Sequence, residues 1–459
     1  MIKKLETWGA VILIIIGVLW GGGEIYLRKF ADSRLENYGL ECFYNGEIFK
    51  AKLILMLASR TKGSSAFRYL GDIYRSEGNI TQAIEYYKKN AIKTTYGREY
   101  DYYNIAELFV KPDEINQAIK WYEKSEAAGN NYALVELRNI YVLLNNQQKV
   151  AEYEQKIINT KDNNVIINLK REFEKTQDYK KIEKLLLAAI KIDKKNSGLL
   201  RNLAHTYFEQ KKFQLSQKYY LQTGEKSYNL AICFFKNNET EEAIKIFDDL
   251  VKKDNSFAAM AKLTQIHLQQ KTLNPFIKYL EKQAEDFDNT DEMVALFCIH
   301  KSLNQPQKAQ KYLDKLIYLK NNNTYYEISN FFFEIEDYKN AEIYAKKTAR
   351  HNIYILGKLA IKNKNYNKAI TIYKSDLDFH IDDLLALYEK QKMYDEAFII
   401  LESFKTSNKS WKNRRLARYS MLTKNYNYAI SLYRKLLLKG VLCSTNLRRA
   451  YFEYSNERH

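Results

Sequence analysis

The chain has 459 residues, of which 73 are Lys or Arg and 55 are Asp or Glu, giving a formal charge of +18 at an apolar content of 46%. That is too apolar and too mixed in charge for a disordered chain. With 3 Pro and 16 Gly, against roughly 20 and 30 at ordinary usage, turn-rich all-β folds and collagen are excluded, and a long, mostly helical chain is left.

The first element is Thr7 to Gly23, 17 residues without a charge, at the lower edge of what spans a bilayer. Trp8 and Tyr26 are 18 positions apart, about 27 Å along a helix, which would seat one ring at each interface. Residues 1–30 therefore read as one transmembrane helix acting as a membrane anchor. A cleaved signal peptide is the competing reading, because Ala10 to Trp20 is apolar and Gly21 to Gly23 are small. No A-x-A site follows, and no Cys is placed for lipidation. Lys3 and Lys4 before the span favour a single pass through an inner membrane with the remaining chain in the periplasm, while Arg28, Lys29 and Arg34 beyond it keep the cytoplasmic side open. Residues 31–63 read as a helical linker and N-cap.

From Ser64 onward a unit of roughly 34 residues recurs to the end of the chain. The segment AFRYLGDIYRSEGNITQAIEYYKKNAIK, residues 66–93, is its clearest copy. A marker near the start of the second helix falls at Ala83, Ala118, Val150, Ile182, Ser216, Ala243, Phe276, Ala309, Ala341, Ala369, Ala397 and Ala429, in steps of 27 to 35 residues. Each unit reads as a helical hairpin. Its first helix carries a small residue, such as Gly71, Ala106, Ala204 or Gly357, where two helices approach closely. The turn is polar and Asn-rich, and Pro112, Pro275 and Pro306 fall between the two helices of their units.

Leu70, Gly71, Tyr74, Ala83 and Tyr87 make this unit resemble the tetratricopeptide repeat. Residues 115–141 also resemble the Sel1-like repeat through Ala118, Trp121, Tyr122, Lys124, Ala128, Gly129, Ala133, Leu137 and Tyr141. The resemblance implies an all-α fold over residues 64–459, a right-handed α-solenoid of about twelve helix-turn-helix repeats that scaffolds other proteins. In such repeats the first helices line a concave groove. By register that groove carries Arg68, Arg75, Tyr100, Tyr103, Arg201, Asn202, His205, Tyr228, Asn229, Tyr326 and Asn330, a mixture of polar donors and Tyr suited to an extended peptide.

Charge is concentrated at the far end. From Glu402 to His459 there are 13 Lys or Arg against 3 Glu. Trp411, Arg414, Arg415, Arg418, Arg434, Lys435, Arg448 and Arg449 are expected to form a basic surface. Its partner would be anionic: an acidic protein, lipid headgroups or an acidic polysaccharide, or nucleic acid if the repeats face the cytoplasm.

No catalytic constellation emerges. Cys42, Cys233, Cys298 and Cys443 are scattered singly and read as free, mostly buried thiols. The six histidines form no H-E-x-x-H and no pair at i, i+4. His267 and His300 occupy the register of Tyr74 and Tyr207 and read as core residues. Phosphate-binding and nucleophile-elbow motifs are missing from the sequence. The function expected is a membrane-anchored, non-catalytic protein-interaction scaffold of a bacterial cell envelope, without a cofactor. Secretion of an acidic exopolysaccharide and a cytoplasmic-facing adaptor are the competing readings.

Overall fold

The computed structural model describes residues 34–60, 64–254, 256–285, 290–320, 324–348 and 352–457. The expected anchor at 1–30 lies outside them. Among the described residues no helix is long and apolar enough to cross a membrane.

These residues form 27 α-helices and one 3₁₀ turn, with no strand. The helices pair into successive antiparallel hairpins, and a single helix, Ser444–Asn456, ends the series. Every marker named above is the fourth residue of the second helix of its hairpin, and all twelve are buried. This position sits one turn into the helix, on the face that meets the first helix, where a small side chain lets the axes approach. Ala51 holds the same position in Ile48–Ala58. Residues Arg34–Tyr44 and Ile48–Ala58 thus add a hairpin to the twelve read from the sequence, joined to Ala66–Ser76 through a core of Leu35, Ile54, Leu55, Leu70 and Ile73.

The Asn-rich turns follow one construction. The first helix ends in a residue with positive φ, such as Gly78, Asn145, Lys364 or Lys424. The next residue then sends its N–H back to the carbonyl five positions earlier, as in Asn79 to Tyr74, Asn365 to Ala360 and Asn425 to Ser420. That closes the helix as a Schellman motif. The same Asn opens the second helix: the Asn365 side chain accepts from Lys368 N–H at 3.1 Å and that of Asn425 from Tyr428 N–H at 3.3 Å. One residue therefore satisfies orphan backbone groups of both helices, so the turn needs no proline. Pro112 and Pro306 open their helical segments, while Pro275 lies in the first turn of Leu273–Gln283, where its missing N–H breaks no bond.

The chain divides into two compact units, one of residues 1–172 with 398–459 and one of residues 173–397. The second has a continuous core running from Ala204 to Leu359. The first is built from both ends of the chain.

Gly71 and Gly357 occupy equivalent places. A Cβ on Gly71 would lie 2.6 Å from Tyr87 Cε1, and one on Gly357 would strike the ring of Tyr373 in the same way. Both Tyr rings are almost fully buried, so neither can retreat into solvent. Gly71→Leu or Gly357→Leu should cost about 1–3 kcal/mol by overpacking, with faster hydrogen exchange confined to the hairpin and its neighbours. Unchanged melting and exchange in both variants would contradict this assignment.

Candidate binding surfaces

In the first unit, the terminal helix Ser444–Asn456 packs against Tyr132–Leu143 and the Pro112–Glu114 turn. Its Arg448 was expected on the basic surface; instead the side chain is fully buried. The cause lies at the end of helix Arg98–Leu108, where Ala106 O accepts only the Phe109 N–H from the backbone and the buried carbonyls there need a further donor. Arg448 supplies it. Its Nη2 donates to Ala106 O at 2.9 Å and its Nε to Phe109 O at 3.1 Å, placing a cation at the negative end of the helix dipole. Nη2 also donates to Tyr122 Oη at 3.3 Å, and Nη1 lies 3.8 Å from Glu136 Oε2.

Around this arginine, Tyr122 Oη donates to Glu107 Oε1 at 2.5 Å. The Ser444 hydroxyl donates to the same oxygen, and the Thr445 hydroxyl to Glu136. The groove residue Arg75 makes the converse contact. It is 4% exposed, and its Nε donates to Leu437 O at 2.8 Å, at the C-terminal end of helix Tyr426–Leu438. An arginine from each end of the sequence thus caps a helix from the other end.

Burial, together with the Glu107 carboxylate, pushes the Glu136 carboxyl up to about 7, against the opposing effects of Arg448 and the Thr445 hydrogen bond. Glu107, Glu136, Ser444 and Thr445 were not singled out in the sequence. The signal was a buried-register Glu on each of two successive first helices, matched by the i, i+4 pair Ser444 and Arg448 in the basic tail.

The other expected groove residues mostly have structural partners. Arg68 ties its hairpin to the next, donating through Nε to Asp101 Oδ1 at 2.7 Å and through Nη2 to Gly97 O at 2.6 Å. Tyr103 meets the Tyr122 ring edge-on at 5.3 Å, whereas Tyr100 is exposed. In the second unit, Arg201 pairs with Glu225 and Asn202 donates to Gly198 O. His205 is exposed and lies 3.8 Å from Glu209. Tyr228 packs edge-on against Phe247, Asn229 donates to Tyr220 Oη, and Asn330 accepts from Asn352. Tyr326 remains exposed.

The basic surface is a real exposed feature once Arg448 is removed from it. Arg414, Arg418, Arg434, Lys435 and Arg449 are exposed. Arg415 lies over the half-buried Trp411 ring at 4.9 Å, and Phe404 meets that ring edge-on. Beside them is an open cavity of about 460 Å³ lined by Lys405, Lys409, Lys412 and Lys439. Lys412 is held there by the carbonyls of Glu402 and Phe404.

His300, expected in the core, is buried and stacks on Tyr312; His267 stacks on Phe276 but is only half-buried, at the rim of its core. All four cysteines are buried free thiols. Among the described residues no group of three or more His, Cys, Asp or Glu side chains could hold a metal ion.

The Glu136 shift has a definite sign. A carboxyl with its folded value raised above 4.5 binds more protons folded than unfolded between pH 4.5 and about 7. Its contribution to stability is therefore largest at acid pH and is lost as pH rises through about 7. The melting temperature of the wild type relative to Glu136→Gln should fall between about pH 5 and pH 8, bracketing that titration. Parallel pH profiles for the two proteins would contradict the placement of Glu136.

The tetratricopeptide repeat family matches residues 70–89, 227–256 and 298–323. No curated protein sequence matches the chain. Similar solved structures include Naa15/Naa10 bound to HypK-THB, at 12% identity over 99% of this chain and 80% of that one, with a TM-score of 0.35. Yeast Tom70 is similar at 13% identity over 94% and 96% of the two chains, TM-score 0.28. A tetratricopeptide repeat protein from Parabacteroides merdae is similar at 16% identity over 56% and 97%, TM-score 0.30. The matched segments fall on three of the helical hairpins described above, and these hairpins are tetratricopeptide-like repeats.

Proposed function

We infer from its tetratricopeptide-like repeats that the chain is a protein-protein interaction scaffold. We propose that this one is non-catalytic and serves a bacterial cell-envelope complex, anchored in the inner membrane by residues 1–30 with its repeats, including a Sel1-like unit at 115–141, in the periplasm. The observation that carries the anchoring is the uncharged stretch Thr7 to Gly23 with Trp8 and Tyr26 at its two ends. Protein partners would meet the polar and aromatic side chains left exposed on first helices, among them Tyr100, His205 and Tyr326. The basic surface would take an anionic partner, because its cations are solvent-facing and gather beside a lysine-lined cavity. An acidic protein, anionic lipid headgroups and an acidic polysaccharide all present the charge it needs.

A C-terminal alkaline phosphatase fusion should be active in cells, and the protein should fractionate with membranes. An inactive fusion would place the repeats in the cytoplasm, and a mature chain that begins near Gly23 in the soluble fraction would replace the anchor with a signal peptide.

The anionic partner is testable without identifying it. Arg414, Arg434 and Lys435 are suitable for reversal, whereas Arg415 also supports Trp411. Converting those three to Glu should weaken binding to vesicles of anionic lipid, or to alginate, about tenfold or more at 50 mM salt, and far less at about 500 mM, where exposed charges are screened. Helix content should not change. Binding equal to that of the wild type at every salt concentration would reduce the basic surface to a solvated cap.

A further inference from the structure

The seam around Arg448 is a helix-recognition site already holding a helix. Only Leu447 and Ala450 are fully buried apolar residues on Ser444–Asn456; the other two fully buried residues are Ser444 and Arg448. Half of its fully buried positions are thus polar, and their hydrogen bonds and charge give geometric selectivity. Opening of such an element is easier than opening of the repeats beneath it. The segment that leads into it turns at Gly440, φ 74°, and exposes Leu442, and the terminal helix also packs along Tyr426–Leu438, so leaving the seam means parting from that helix or pivoting on it.

The fit is also incomplete. Among the described residues, Glu107 Oε2 in this seam is buried without a hydrogen-bond partner. A buried carboxylate oxygen without a donor carries a desolvation penalty that a better-matched ligand would relieve. Removing Arg448 leaves two carboxylates, Glu107 and Glu136, around the end of helix Arg98–Leu108, whose dipole adds to their negative field. That combination selects a cation with a planar fork of donors, able to reach two carbonyls and a carboxylate at once, a description of arginine and not of lysine.

We propose that the face formed by Glu107, Tyr122, Glu136 and the carbonyls of Ala106 and Phe109 is a binding site for an arginine-bearing helix of a protein partner, kept closed by the chain's own terminal helix until the partner displaces it. The displacing helix carries a hydroxyl one turn before its arginine, as Ser444 stands before Arg448, and a further donor for the free oxygen of Glu107. This rests on the scaffold reading but requires neither the anchor nor the envelope location.

The test uses the full chain in mild detergent and a fluorescent peptide reproducing residues 441–457. In the wild type, amides of Ser444–Asn456 should exchange at least tenfold faster than those of Arg98–Leu108 and Tyr132–Leu143; equal rates would overturn the proposal. Arg448→Glu should free the site and bind the peptide at least tenfold more tightly than the wild type does, while the same peptide with Arg448→Ala should bind neither chain. Equal peptide affinity for both chains, or a wild-type dimer formed by exchange of terminal helices, would overturn it. The exchange measurement on the wild type decides the matter even if Arg448→Glu misfolds. Because the peptide comes from this chain, its failure to bind leaves the scaffold reading standing, and a failed membrane test leaves this one standing.

Discussion

Two buried arginines at opposite ends of the sequence each finish a helix that belongs to the other end. Arg448 meets the carbonyls at the end of Arg98–Leu108, and Arg75 meets Leu437 O at the end of Tyr426–Leu438. Both contacts solve the same problem, a helix C-terminus buried against protein where water cannot supply donors. Once the terminal helix lies there, the polar groups beneath it must be satisfied from within the protein. Tyr122, Ser444 and Thr445 are the residues that do so.

A buried ion pair is a poor source of net stability, because desolvating the charges offsets most of their attraction. Its effect on specificity is larger. A terminal helix shifted by one residue would turn Arg448 away from both carbonyls and leave the buried Glu107 and the half-buried Glu136 without a counter-charge. The seam therefore fixes which helix docks and in which register, while the apolar cores on either side supply the cohesion. The same reasoning explains why a site of this kind can exchange its occupant: a second helix with the same charge pattern meets the same requirements.

Much of the fold was legible in the residues. The buried side chain at the fourth position of each second helix repeats at every hairpin, small in most of them, because close helix approach favours small volumes at that point. Ala83 and Ala429 make this visible, and even Phe276 keeps the place. The hairpin from Arg34 to Ala58 escaped because Ala51 has little around it that repeats: its turn uses Gly46 without the Asn N-cap found elsewhere. The surfaces were less legible. Periodicity tells which helix a residue lies on, but not what covers its outer face. Arg75 and Arg448 were each read as solvent-facing because cations usually are, and their burial depends on contacts between residues more than three hundred positions apart. Arg68 and Arg201 have acidic partners that their own helices do not reveal: Asp101 on helix Arg98–Leu108 and Glu225 in the loop after Phe213–Thr223.

Pulsed dipolar spectroscopy between spin labels at Tyr132 and Arg449 tests the closure of the seam most directly. Both positions are exposed on helices that touch, and the four native cysteines are buried. Reciprocal capping predicts one narrow distance of about two helix diameters, roughly 20 Å, that broadens in Arg448→Glu. A broad distribution of long distances in the wild type would contradict it.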